Sequence, residues 1–330
     1  MTDMTMIAPD GRAADASKSL CFFVPVKRRM LLPYDVWDAY WKDIHSQIVT
    51  RLPGIRDYTQ SHTHRPRADL WPQISGVEHK AAETQMWDGS AELSFRDEDD
   101  LARWIASSGV LAADEANAFE RTVGYFTAPG TARDFVSQAR SGLAGPTRNF
   151  VLRLLLTGKS PEDRETLHAR IMDDVCPIWA SSPLVERLRV LPLLEHDNHA
   201  ETGGAAKGGN NVEPVEIQHH ASVEIGFDSH LAFRQFLASP AYLSTERILQ
   251  DALSRLTAMQ EYSAYQCVKD GRPTLAGMYG ATNAAIIESV GAASMLSHEV
   301  RRLFGHRVAR IDRSAPAPCA PRSKPGQAVS

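Results

Sequence analysis

Tyr58, Gln60, His62 and His64 alternate along one short stretch of the chain. In an extended strand, residues two apart share a face. These four would therefore form a polar wall, with Ile55, Asp57, Thr59, Ser61 and Thr63 on the opposite face. Upstream lies His45, in the segment YWKDIHSQIV at 40–49. An imidazole titrates near neutrality and can take and return protons, so His45 is read as the base. Tyr58 or His62 would polarise an oxygen or return the proton. The competing reading makes His45 a packing residue and leaves His64, just before Arg65-Pro66, at an exposed strand end. His62-Thr63-His64 also has a chelating spacing. No carboxylate or third histidine nearby in sequence completes a ligand set, so no metal is expected.

Other titratable groups are less pointed. Glu92 sits mid-strand, exposed, ion-paired, or able to reach His45. Glu224 occupies a matching position. His168, beside Leu167, looks like a second-half counterpart of His45. His219 and His220 must point to opposite faces. His196 and His199 precede a Gly-rich loop at 203–209 and read as mobile surface. There is no Walker loop, no GxGxxG opening a helix, no GxSxG and no HExxH. Nucleotide-driven chemistry, serine hydrolysis and zinc proteolysis are disfavoured.

The elements that must hold these groups follow from periodicity. A strand is expected at 19–27. A helix follows at 35–50, with an apolar stripe of Trp37, Tyr40, Trp41, Ile44 and Ile48 at helical spacing. Pro53-Gly54 turns the chain into a strand at 55–64. Strands at 83–95 and 119–127 flank helical pieces near 101 and 114. The order is βαββαβ, the split-βαβ plan. A Gly/Pro/Thr-rich junction ends at 147, and the plan restarts. Strands are expected at 149–157, 184–196, 215–227 and 259–268, with helices near 160–175, 229–238 and 241–256. WDGSAELSF at 87–95 and HHASVEIGF at 219–227 align without gaps, which points to duplication.

The expected fold is therefore α+β. Two fused ferredoxin-like βαββαβ domains would form one intramolecular dimeric α+β barrel, with a C-terminal helical extension. The domains are read as 19–130 and 148–270, joined by a linker at 131–147. The extension spans 271–313, with Ile286, Ile287, Val290 and Met295 placed to cover the barrel. Residues 1–18 and 314–330 read as disordered from their Ala/Pro/Ser content.

The chain has 330 residues, enough for two cores, and a formal net charge of −4 offers no basic field for nucleic acid. Basic residues gather only at Arg301, Arg302, Arg307, Arg310 and Arg313 and read as a solvated helix end. Cys21, Cys176, Cys267 and Cys319 are far apart; the first three, among apolar residues, read as reduced core thiols of a cytoplasmic protein. No secretory leader or membrane-spanning run is seen, so no membrane partner is expected.

Three segments, YWKDIHSQIV (40–49), LPGIRDYTQ (52–60) and WDGSAELSFRDEDDL (87–101), resemble the EthD family of dimeric α+β barrel proteins in order and spacing. The resemblance covers about 100 residues of the first half. The second half lacks the Tyr-Trp pair and the Pro-Gly turn. Related barrel families include isomerases, polyketide cyclases, chlorite dismutases and haem-degrading monooxygenases, so the resemblance implies a fold and a pocket more firmly than a reaction. Read with the residues, it implies a cofactor-independent acid/base enzyme of lyase, decarboxylase, isomerase or cyclase type. Its substrate would be an apolar, aromatic small molecule. His45, Tyr58 and His62 would be catalytic; Trp41, Gln60, Trp87 and Glu92 would line the substrate. A haem- or metal-dependent oxidoreductase and a non-catalytic binder stand as alternatives, and a homodimer is left open. One principal pocket is expected, in residues 19–127.

Overall fold

The computed structural model describes residues 19–137, 144–198 and 211–304. Strand β1 (Leu20–Arg28) is buried along nearly its whole length. Helix α1 (Tyr34–Tyr40) runs through a π turn at Trp41–His45 into α2 (Ser46–Thr50). Gly54 then turns the chain at φ +89, where a Cβ would lie 2.1 Å from the Asp100 carbonyl oxygen, so only glycine fits. Strands β2 (Ile55–Thr63) and β3 (Gly89–Phe95) follow. Helix α3 (Glu98–Ser108) starts where the Asp97 side chain accepts a hydrogen bond from the Asp100 N–H at 2.9 Å. Then come α4 (Leu111–Ala118), β4 (Phe119–Thr122), β5 (Tyr125–Phe126) and β6 (Arg133–Ser137).

The second half repeats the plan. Strand β7 (Ala144–Gly158) leads to α5 (Arg164–Ala169), a π turn at Arg170–Val175 and α6 (Cys176–Ala180). After β8 (Arg187–Pro192) and β9 (Ala221–Phe227) come α7 (His230–Leu237), α8 (Pro240–Leu243) and α9 (Glu246–Ala252). Strand β10 (Leu253–Lys269) and the short β11 (Arg272–Pro273) complete the 11-stranded sheet. Helices α10 (Leu275–Tyr279), α11 (Ala281–Val290) and α12 (His298–Leu303) form the C-terminal extension.

Strand order is β4-β1-β3-β2 followed by β10-β7-β9-β8, with β6 on the last edge. The two units thus have the same internal order, and β10 joins them by pairing with β2 on one side and β7 on the other. At the far seam, Leu194 N–H donates to the Phe126 carbonyl at 2.8 Å, bringing the two outer edges together. This is the expected fold, two fused ferredoxin-like units in one α+β barrel. One apolar core fills each helix–sheet layer, and a third cluster, including Phe23, Trp87, Leu155 and Met259, lies inside the barrel. Charges also lie there. Glu224 accepts from Arg153 at 2.7 Å and from Arg187, balancing carboxylate against guanidinium where water is excluded.

Several boundaries differ from expectation. Residues 83–85 form a 3-10 turn, and β3 begins only at Gly89. Likewise 215–217 form a 3-10 turn ahead of β9. The helix expected over 241–256 ends at Ala252; pairing with β7 from Leu253 onward overrides local helix propensity. Strand β6 and the start of β7 fall within 131–147, read above as a linker. In the extension Ala281 and Ala284 pack inward, while Ile286 and Val290 face solvent, 58% and 75% exposed. The Asp43 carboxylate fixes that helix by accepting from Thr282 N–H at 2.7 Å and Thr282 Oγ1 at 2.6 Å. Both terminal segments, His199, the Gly-rich stretch 203–209, Arg307, Arg310, Arg313 and Cys319 lie outside the described residues. Cys21, Cys176 and Cys267 are buried free thiols. Among the described residues no helix is long and apolar enough to cross a membrane.

Candidate active site

A cavity lies between the first unit's sheet and its helices, with about 500 Å³ of free space including its mouth. Its floor is apolar: Phe22, Val24 and Val26 of β1, and Ala91 and Leu93 of β3. Trp41, His45 and Val49 line it from the first helical wall, and Trp104, Leu111, Glu115 and Phe119 line it from α3, α4 and β4. Tyr58 comes up from β2.

The π turn sets the helical wall. It holds one residue more than an α turn, which rotates the following residues by about 100° relative to the regular period. Trp37 and Trp41 stay inward, Ile44 swings out to 50% exposure, and His45 turns in to 6% exposure. The stripe read from strict helical spacing is corrected accordingly.

His45 is held by a residue that sequence reasoning missed. Its Nδ1 lies 2.6 Å from Asp114 Oδ2, and the Tyr40 hydroxyl donates to Asp114 Oδ1. Burial pushes the Asp114 carboxyl up, but the hydrogen bonds from His45 and Tyr40 outweigh it and hold the group below the ordinary carboxylate range. An ionised Asp114 only accepts, so Nδ1 carries the proton and Nε2 of the neutral ring keeps its lone pair. The Phe119 ring stands edge-on to the imidazole, centroids 5.5 Å apart.

Tyr58 is aimed in a similar way. Gln60 Nε2 donates both to the Trp41 carbonyl at 3.0 Å and to the Tyr58 hydroxyl at 2.7 Å. The carbonyl can only accept, so the amide orientation is settled. The Tyr58 oxygen is then an acceptor to Gln60, and its own proton remains for the cavity. Burial holds its pKa well above the usual value, so it stays a donor.

His62 stands behind this wall. It is fully buried and does not line the cavity. Its Nδ1 lies 2.7 Å from Asp38 Oδ1, and its ring lies against Trp41, centroids 4.2 Å apart. Asp38 also accepts from the Tyr262 hydroxyl at 2.6 Å and from Lys42 Nζ at 2.8 Å. Burial pushes the Asp38 carboxyl up, but its hydrogen bonds to His62, Lys42 and Tyr262 win and hold it well below the ordinary range. His62 and Gln60 therefore support Trp41 and Tyr58 from behind.

Trp87 and Glu92 are elsewhere. Trp87 is inside the barrel, its Nε1 donating to His219 Nε2 at 3.3 Å and its ring facing Arg121. Glu92 accepts from Arg189 Nη2 at 2.6 Å and Nε at 2.9 Å. It points to the opposite face of β3 from Ala91 and Leu93, and the carboxylate that reaches His45 is Asp114. His196 is not a surface group: its ring nitrogens meet the carbonyls of Gly124 at 2.7 Å and Asn211 at 2.8 Å. His219 and His220 are both buried, and His64 is exposed. Among the described residues no group of three or more His, Cys, Asp or Glu side chains is placed to hold a metal ion.

Among the described residues the second unit has no matching site. Ser46 and Cys176 each open the segment after the π turn, an offset of 130 residues. At that offset His45 corresponds to Val175, Val49 to Trp179 and Tyr58 to Leu188. His168 corresponds to Asp38 rather than His45, and its Nε2 meets the His220 carbonyl at 2.6 Å. Trp71, from the loop after β2, packs against Trp179 and Tyr242, with centroids 5.5 and 5.7 Å away.

Asp114 and Glu115 had one sequence signal. Leu111, Asp114, Glu115 and Ala118 share a helical face with two apolar members.

Residues 32–122 match the EthD domain family. Comparison with curated proteins finds no match. Similar solved structures include a Lactobacillus acidophilus NCFM protein assigned provisionally as a monooxygenase (10% identity, 75% of this chain and 96% of that one, TM-score 0.44). An anthrone oxidase-like protein is 8% identical over 77% of this chain and 94% of that one, TM-score 0.46. A chlorite dismutase mutant from Candidatus Nitrospira defluvii is 9% identical over 75% and 91%, TM-score 0.36. At these values the structural likenesses add no argument about activity. The family match falls on the segment that builds most of the cavity: what the chain shares with the EthD family is this one domain, residues 32–122.

Proposed function

We propose that the cavity is the active site of an acid/base enzyme acting on a flat, apolar, aromatic small molecule. The observation that carries this reading is the His45–Asp114 pair. An imidazole with one nitrogen fixed on a carboxylate, and the other left basic at an apolar slot, is equipped to remove a proton. His45 Nε2 takes a proton from a carbon next to an oxygen-bearing group. The C–H electron pair moves toward that oxygen, where the Tyr58 hydroxyl supports the developing charge. This act serves elimination, decarboxylation, isomerisation or cyclisation alike and uses side chains alone.

Acetophenone offers a flat ring, an oxygen for Tyr58 and acidic C–H bonds for His45. Exchange of its methyl protons in D₂O, followed by NMR, reports the proposed step. His45→Gln should fold normally by near-UV circular dichroism and slow exchange by at least about 10². A folded variant that exchanges as fast as the wild type would show His45 to be a packing residue. Binding without exchange in the wild type would favour a non-catalytic carrier.

A further inference from the structure

Glu115 is the other ionisable group on the cavity wall. It lies on α4 next to Asp114, and the two carboxyls have opposite surroundings. Asp114 is occupied by His45 and Tyr40. Glu115 lines the cavity beside Leu111 and Trp104. Its negative charge, if formed, would be felt at Tyr58 across the slot, as would that of Asp114. The groups facing it are therefore Asp114 on its own helix, His45 on the helical wall and Tyr58 on the sheet.

We propose that Glu115 is the proton donor of this site, paired with His45. The proposal rests on the acid/base reading above and assigns its second half. As His45 Nε2 takes the proton from carbon, the C–H pair shifts through the substrate to its oxygen. The O–H bond of Glu115 breaks, and its proton joins that oxygen. The residues are left as imidazolium and carboxylate, and proton exchange with solvent at the cavity mouth restores them. The environment suits this division. Burial, with the neighbouring Asp114 charge adding to it, pushes Glu115 up to about 8, so it is protonated at neutral pH. The two adjacent carboxyls thus divide the work: Asp114, ionised, orients the base His45, and Glu115, protonated, is the acid.

Two measurements test it. The infrared difference spectrum between wild type and Glu115→Gln, without ligand, should show the carbonyl band of a protonated carboxylic acid near neutral pH, lost with a midpoint of about 8. Acetophenone exchange in the wild type should then fall as pH rises through the same midpoint. Glu115→Gln should be slower by about 10² or more and lack that alkaline limb, and Glu115→Asp should recover part of the rate. If no protonated carboxyl is found, or if Glu115→Gln keeps the rate and the limb, the proposal is overturned. The two readings fail separately. Exchange that depends on His45 but not on Glu115 sinks only this proposal. Absence of exchange in the wild type sinks the His45 reading, and the role of Glu115 as donor falls with it. If the Glu115→Gln chain does not fold, the wild type alone decides: its infrared difference between pH 6 and pH 10 gives the midpoint of the carboxylic acid band, and disagreement with the midpoint of the rate refutes the assignment.

Discussion

Replacing Asp114 by Asn separates the geometry of the site from its chemistry. The substitution keeps the shape of the side chain, which is only 10% exposed and lies 2.6 Å from His45 Nδ1. It removes the charge that fixes the imidazole proton on Nδ1. The Asn amide can present its NH₂ to that nitrogen, which then has to accept, and the proton moves to Nε2. The ring would face the cavity as a donor and could no longer act as base. The expected loss is therefore about that of removing the base, 10² to 10⁴ in exchange rate. A second effect follows from the same charge. Asp114 helps to push Glu115 up, so without it the alkaline limb should move down from about 8. Stability should fall by roughly 1–3 kcal/mol, as the two hydrogen bonds to this buried charge, from His45 and Tyr40, become neutral ones. The assay is acetophenone exchange against pH, with a thermal melt of the same samples. A folded Asp114→Asn protein with the wild-type rate and an unmoved limb would refute the orientation argument, even if His45 itself proved necessary.

Two further outcomes follow from the structure. Gly89→Ala should be destabilising and should disturb the cavity, because a Cβ there would meet the Trp41 ring at 2.5 Å and the Ser61 carbonyl at 2.8 Å; unchanged Trp fluorescence and melting would contradict it. The Asp38 carboxyl is held below its ordinary range by His62, Lys42 and Tyr262, so its stabilisation is fully present above the unfolded pKa of about 3.9 and is lost progressively as pH falls from there through the lower folded-state value. Urea midpoints should show Asp38→Asn less stable than wild type at pH 7, with the gap closing toward pH 3; a gap independent of pH would refute the assignment.

Much of the barrel was legible because its signals are local. The βαββαβ order follows from period-2 and period-3.6 patterns, and Pro53-Gly54 marks a turn whose glycine has no room for a side chain. His45 and Tyr58 could be singled out because both lie within the segments that carry the EthD resemblance, 40–49 and 52–60. What was not legible depends on contacts between distant segments. Nothing in the sequence marks Trp41–His45 as a π turn, so Ile44 was read as inward. Asp114 is 69 residues from His45, and sharing a helical face with Leu111 and Ala118 marks it as inward without naming its partner. Trp87 and Glu92 lie within the resembling segment 87–101 but serve the barrel interior, where Arg121 and Arg189 meet them. A strand's alternation tells which residues share a face, but not which face borders the cavity and which the inside of a closed barrel.

At the described residues the two units differ in the slot between sheet and helices. The two units share a fold, a strand order and even the π turn, so the turn by itself does not make a site. In the second unit the inward position after it is Val175, and the strand opposite offers Leu188 and Val190 where the first has Tyr58 and Gln60. Trp179 takes the place of Val49, and the space it narrows is closed by Trp71, sent across from the first unit with Leu70, Ile74 and Val77. Burying four such side chains in a foreign layer ties the units together through the apolar effect, at roughly 1.5–3 kcal/mol for each aliphatic side chain fully buried. The first unit receives no such plug at the described residues and keeps its slot. The same architecture thus serves as scaffold on one side and as cavity on the other, and the difference lies in a few side chains: Val175 for His45, Trp179 for Val49 and Leu188 for Tyr58.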